Sequence, residues 1–330
     1  MSELVLQTSE LVAPGSIERA ARELAGVVVR TPLLPAPWLA DALGVSDVRL
    51  KCENLQRAGA FKIRGAYTAI ARLTPAARAR GVIAFSSGNH AQGVALAARM
   101  FGVRAVVVMP TTAPANKVEG AKRLGAEVVL EGTTSTERQQ RAEQIAAEQN
   151  LTIVPAFDDL DIIAGQGTAG LEIMQDWPDV ELVLVPIGGG GLISGVAAWV
   201  KRANPATRVI GVEPAAADAM KQSIDAGRPV TIPPARTIAD GLMPVRPGDH
   251  NFAHVQAFVD DIVRVTDDAI LDATQRLLTA GKLVVEFSGA ATVAALLSGA
   301  VRPAERTVAL LSGGNLDPAR YAQLLGASHA

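Results

Sequence analysis

Nine short runs rich in Val, Ile and Leu recur along the chain, separated by segments with a helical pattern. They fall at 48–55, 81–86, 104–110, 126–131, 151–157, 181–187, 208–214, 261–266 and 307–312. Between them lie stretches such as AQGVALAARM, TERQQRAEQIAAEQN, LISGVAAWVKRAN and DAILDATQRLLTAG. Continuous apolar strands that alternate with helices have both faces covered, so the pattern predicts an α/β fold built on parallel sheets. In open sheets of this kind, ligands bind beyond the carboxyl ends of the strands. Three polar glycine turns stand at such ends: SSGNH at 86–90, GGGG at 188–191 and SGGN at 312–315.

With 330 residues the chain is long enough for a large core or for two domains sharing one cleft. Apolar residues make up 49% of it, yet no uninterrupted run approaches the ~20 residues that span a bilayer. The first ten residues, MSELVLQTSE, lack the basic and apolar regions of a signal peptide. The single cysteine, Cys52, excludes an intrachain disulfide and a cysteine metal cluster. A net charge of −2 with interspersed signs gives no electrostatic footprint for nucleic acid. These features point to a soluble cytoplasmic protein that binds neither nucleic acid nor membrane.

Each glycine turn has a plain reading and a chemical one. Four residues without Cβ at 188–191, between the strand ELVLVPI and the helix LISGVAAWVK, let backbone N–H groups converge on an anion. The plain alternative is a tight turn. No Lys-Ser/Thr follows, so this is not a Walker loop, and the spacing is not that of a Rossmann fingerprint. Side chains at Gly189 or Gly190 are expected to fill the anion's space while the fold stays intact. In SSGNH, the start of a helix favours a carboxylate, although the serines alone would read as helix caps. Lys62, in GAFKIRGAY, would by itself be a solvated lysine in a first helical turn. A lysine that forms a Schiff base needs a lowered pKa, which a partly apolar pocket provides.

Taken in this order, KCENLQRAGAFKIRGAY (51–67), SSGNH, GGGG and SGGN resemble the pyridoxal 5′-phosphate (PLP) enzymes of the tryptophan-synthase-β type, fold type II. Within them the chain is similar to the serine/threonine dehydratase and serine racemase branch, from about Val28 to Asn315. The resemblance implies a two-domain open twisted fold with PLP in the cleft. Residues 1–80 and 156–330 would form a large domain and 81–155 a small one, with no C-terminal regulatory domain. It implies that Lys62 carries PLP beside Phe61, that Asn89 meets the cofactor's 3′-oxygen, and that Gly188, Gly189, Gly190 and Gly191 hold its phosphate. Ser312 would face the pyridine nitrogen. Ser86, Ser87, Gly88, Asn89 and His90 would take the substrate carboxylate, with Ser87 opposite Lys62 as a second acid/base. His90 taken by itself reads as structural.

The resemblance also marks departures. Ala60 stands where the family has Ser or Thr. Phe287, between Glu286 and Ser288, replaces a usual proline and is expected to reshape the substrate pocket. Arg138 aligns loosely with a substrate-side arginine, against the plain reading of a solvated helix residue. A Mg or Ca site would use Glu213 and the carbonyl of Ala217, but Ala219 stands where the third ligand should be, which puts the metal in doubt. The implied function is β-elimination on a small β-hydroxy amino acid, L-threonine or L-serine, giving a 2-oxo acid and ammonia, by a homo-oligomer (dimer or tetramer). The alternatives are a serine racemase, or a dehydratase for 3-hydroxyaspartate or a bulkier β-hydroxy amino acid.

Overall fold

The computed structural model describes residues 10–86, 88–113, 115–234 and 236–327. Its strands form two sheets. The larger contains β1 (Leu33–Pro35), β2 (Asp47–Cys52), β7 (Leu182–Pro186), β8 (Arg208–Pro214), β9 (Asp261–Val265) and β10 (Arg306–Leu311), in the order β1-β2-β10-β7-β8-β9. The smaller contains β3 (Val82–Phe85), β4 (Ala105–Met109), β5 (Glu127–Leu130) and β6 (Thr152–Ile153), in the order β5-β4-β3-β6. Every pairing is parallel except that of β1 with β2. The parallel sheets read from the sequence are present, with β1 added as an antiparallel edge strand. β1 is a three-residue edge strand ending in Pro35, too short to show any period.

The apolar runs sort by alternation. Leu182 and Leu184 of β7 pack on one face with Leu50, Val212 and the helix Phe287–Leu297. Val183 and Val185 pack on the other with Val209, Val308 and the helix Gly191–Ala203. Successive side chains of a strand point to opposite faces, so a strand covered on both sides must be apolar throughout. The helix Phe287–Leu297 follows the same logic. Ten of its residues are buried, so FSGAATVAALL carries no polar face by which the sequence could announce a helix. Among the described residues no helix is long and apolar enough to cross a membrane.

Two features fix the start of the helix Lys62–Arg72. Its backbone meets the helix Leu160–Asp176 so closely that a Cβ at Gly165 would lie 2.5 Å from the Arg64 carbonyl oxygen and 2.6 Å from the Gly65 Cα. Beside that contact sits a buried charge cluster. Arg64 donates to Glu53 from Nε and Nη2, each at 2.8 Å, and to Glu172 at 2.7 and 2.9 Å. Lys51 donates to Glu172 at 2.5 Å and to the Thr31 carbonyl at 2.8 Å. Two cations face two carboxylates, and Arg64, Lys51 and Glu53 are fully buried. The neighbouring Arg64 holds the Glu53 carboxyl below the usual carboxylate range despite its burial. Nothing in the period of the sequence distinguishes Arg64 from a surface arginine.

Candidate active site

The three glycine turns lie at carboxyl ends of strands, 86–90 after β3, 188–191 after β7 and 312–315 after β10, and the segment 53–61 that leads to Lys62 follows β2. Contacts link them into a ring around one cleft. Lys62 Nζ donates to the Ala156 carbonyl at 2.7 Å. The next residue, Phe157, lays its ring against the glycine turn, where a Cβ on Gly189 would lie 2.4 Å from ring carbons. Gly188 faces the Gly241 carbonyl, and the Gly241 N–H donates to Ser288 Oγ at 2.8 Å. Asp240 pairs with Lys117, whose side chain packs on Gly88. Asn89 Nδ2 donates to Glu286 at 2.6 Å, and Asn315 Nδ2 donates to Asn89 Oδ1 at 3.0 Å. The Phe61 N–H donates to the Ser312 carbonyl at 3.1 Å, which closes the ring at Lys62.

Electrostatics follow from this enclosure. Burial pulls the Lys62 amine down from its usual 10.5 to about 8. The Phe61 ring centroid lies 5.2 Å from Nζ, so the amine has an apolar neighbour. His90, buried beside Lys62, is pushed down to about 3, first by burial and then by the lysine's charge. It therefore stays neutral, and its Nε2 sits 2.9 Å from the Val154 carbonyl as donor. This is the structural role read for it. Glu286 is pushed up to about 7, chiefly by burial and then by Asp240, against the opposing pull of Lys117 and Asn89.

The glycine turn owes its shape to Gly190, at φ +104°, where side chains are strained. Gly191 opens the helix Gly191–Ala203, whose first N–H groups have no intrahelical acceptor and face the cleft end of the sheet. The expectation of an intact fold after substitution is corrected here. A Cβ on Gly190 would sit 2.7 Å from the Asn251 Cβ and the Met220 methyl, and one on Gly189 would strike Phe157. The turn is tight on its protein side.

Other expected residues lie where the ring does not include them. Ser86 is half-buried and its Oγ accepts from the Gly88 N–H at 3.2 Å, inside the expected carboxylate turn. Ser87 lies outside the described residues. Arg138 reaches the Thr133 carbonyl at 3.4 Å in its own helix turn and, among the described residues, joins no part of the ring. Glu213 is fully buried, and its two oxygens accept from the N–H groups of Met220 and Lys221, both at 2.9 Å. It caps the helix Ala219–Ala226. Burial, and then Asp218, raise it to about 8. Ala217 and Ala219 are buried at the same bend, and Asp218 is engaged by Gln222 and Arg264. Among the described residues no group of three or more His, Cys, Asp or Glu could hold a metal ion. Phe287 does not reshape the pocket as expected: it is buried in the core, 5.9 Å from the Tyr321 ring. Ala60 pairs with Gly313 in an isolated bridge, its methyl 3.0 Å from where a Gly313 Cβ would stand.

Sequence reasoning missed Ala156, Phe157, Lys117 and Asp240. The run at 151–157 read as one strand, but β6 ends at Ile153. The chain then leaves the sheet at Val154 and Pro155, and the carbonyl of Ala156 and the ring of Phe157 turn to the cleft. The remaining donors and acceptors suit PLP. They comprise a half-buried amine of lowered pKa, a run of four glycines at a helix start, an amide held by two partners, and Ser312 at a strand end.

Comparison with known proteins agrees. The family model described as pyridoxal-phosphate dependent enzyme matches residues 24–313. The L-threonine ammonia-lyase of Thermotoga maritima is 46% identical over 91% of this chain and 75% of its own length. The catabolic L-threonine dehydratase TdcB of Escherichia coli K12 is 42% identical over 96% of both chains. The structure of maize serine racemase superposes with a TM-score of 0.91 at 36% identity, covering 97% of this chain and 98% of that one. With the ring of strand-end turns around Lys62, these matches show that the chain belongs to the fold type II family of PLP-dependent enzymes.

Proposed function

We propose that the chain is an ammonia-lyase that dehydrates and deaminates L-threonine and L-serine. The observation that carries this reading is the Lys62 amine, half-buried, lowered in pKa by its enclosure and held at 2.7 Å by the Ala156 carbonyl. PLP, when bound, supplies the electron sink for a carbanion at the substrate Cα. The rest falls to the protein. Lys62, with a pKa near 8, is a base matched to neutral pH and removes the Cα proton. Gly188–Gly191 and the first N–H groups of the following helix bind phosphate. Ser312 offers the pyridine nitrogen a hydroxyl and not a carboxylate. A hydroxyl there would leave the nitrogen largely unprotonated, which would disfavour transamination while permitting loss of the β-hydroxyl. Asn89, oriented by Glu286 and Asn315, meets the 3′-oxygen. Backbone donors at 88–90 take the substrate carboxylate, and Phe157 shields the glycine turn from water. The β-hydroxyl would depart as water with the proton that Lys62 took from Cα, and the enamine released would tautomerise to an imine that water hydrolyses to a 2-oxo acid and ammonia.

The reading includes the division into 1–80 with 156–330 and 81–155, and a cytoplasmic homo-oligomer. The likeness to the two threonine enzymes supports elimination. The likeness to maize serine racemase favours a second reading, in which serine enantiomers exchange at the same site. Partition of L-serine decides between them: pyruvate should form faster than D-serine. Faster D-serine formation would replace the lyase by the racemase.

A further inference from the structure

Lys117 is 6% exposed and stands on the helix Ala115–Arg123, which flanks the four-stranded sheet. Its ammonium pairs with Asp240, on a short 3-10 turn (Asp240–Leu242) that Ser288 fastens to the six-stranded side. The cation is deep and the anion is at the mouth, since the Asp240 side chain is 32% exposed. The lysine also lies on the carboxylate turn. A Cβ at Gly88 would be 3.2 Å from its Cδ and 3.3 Å from its Nζ, so the side chain packs directly on this turn.

Gly88 caps the helix Asn89–Met100, whose free N–H groups and dipole make the turn positive. An ammonium set against a helix start is repelled unless an anion stands between or beside them. Asp240 fills that need in this structure. A substrate carboxylate on the turn would fill it when the amino acid docks. The other titratable group facing the pair is Glu286, whose carboxyl responds to both charges and is already occupied by Asn89.

We propose that Lys117 is a substrate-positioning residue, its ammonium passing from Asp240 to the α-carboxylate as the amino acid docks at the Gly88–His90 turn. This rests on the proposed ammonia-lyase reading and deepens it.

The test compares two ligands on the PLP-loaded protein by calorimetric titration: 2-aminobutyrate, which lacks the leaving hydroxyl, and 1-propylamine, the same skeleton without the carboxylate. Lys117→Met should weaken 2-aminobutyrate about tenfold or more, as expected for a lost charge-assisted contact, and leave propylamine unmoved. Lys117→Arg should recover part of the loss, and for L-threonine the defect should fall on KM more than on kcat. Asp240→Asn should not weaken 2-aminobutyrate, because it removes the lysine's competing partner. Wild-type affinity in Lys117→Met would overturn the proposal. Equal losses for both ligands, or lower melting temperatures in both variants with unchanged affinities, would also overturn it and leave a structural brace. A wild-type protein that binds neither ligand and releases no 2-oxobutyrate from L-threonine would instead refute the lyase reading, and this proposal with it.

Discussion

Lys62 illustrates how position alone turns an ordinary residue into a reagent. At a pKa of 10.5 a lysine is almost wholly ammonium at neutral pH. At about 8, roughly a tenth of it is free amine at pH 7, a gain of more than two orders of magnitude. The free amine is the form that attacks an aldehyde, so the rate at which cofactor-free protein takes up PLP should rise with pH and level off with a midpoint near 8. A visible-band stopped-flow trace checks this, and a midpoint near 10 would show the amine to be solvated. The sign for stability runs the same way. The folded state binds fewer protons than the unfolded one between pH 8 and 10.5, so this group's burial cost is fully present below 8 and fades as pH rises toward 10.5. The lowered pKa was foreseeable from GAFKIRG as a requirement of the chemistry. Burial in a partly apolar pocket was foreseeable with it, but the Ala156 carbonyl that holds the amine was not, because Ala156 lies in a run that reads as strand.

At the level of elements, strand ends and helix starts share the work. Glu213, at the end of β8, satisfies two N–H groups of the helix Ala219–Ala226 with its two oxygens. Replacing it by alanine orphans both donors in a buried bend and should cost roughly 1–2 kcal/mol, read as a shift in the urea midpoint. Its folded pKa is raised from 4.5 to about 8, so its contribution is fully present below 4.5 and is lost as pH rises through 8. The penalty of Glu213→Ala should accordingly shrink across that window. Because both oxygens are engaged, treatment with a chelator should leave turnover of L-threonine unchanged. Complete loss, restored by magnesium, would mean that Asp218 or another oxygen serves a metal. Glu286 and Ser288 work in the same way from the start of one buried helix. One holds Asn89 and the other holds the Asp240–Leu242 turn. The sequence marked both residues through their likeness to a family pattern, but the all-apolar helix they introduce has no period to reveal it.

Across the whole molecule, the legible part is what periodicity and glycine encode. The nine Val-, Ile- and Leu-rich strands stand out by their apolar runs, most completely where burial on both faces makes the strand apolar throughout, as in β4 and β7, and the turns stand out because close backbone approach requires glycine. The edge strand β1, the helix Phe287–Leu297 and the partners of buried charges stay hidden, since each depends on contacts between residues far apart in the chain. Arg64 is the clearest case. It meets Glu53 and Glu172 across separations of 11 and 108 residues. Arg64→Met would leave two carboxylates without their main cation and should destabilise the fold by about 3–5 kcal/mol in urea titration. The same variant should loosen PLP, because Arg64 lies two residues from Lys62 on one helix. The central claim concerns what this assembly does. Its most direct test is the release of 2-oxobutyrate from L-threonine by the PLP-loaded protein, measured beside Lys62→Ala. Steady release by the wild type and none by the variant is the predicted result. PLP bound with no 2-oxo acid formed, or equal release by the variant, would contradict it.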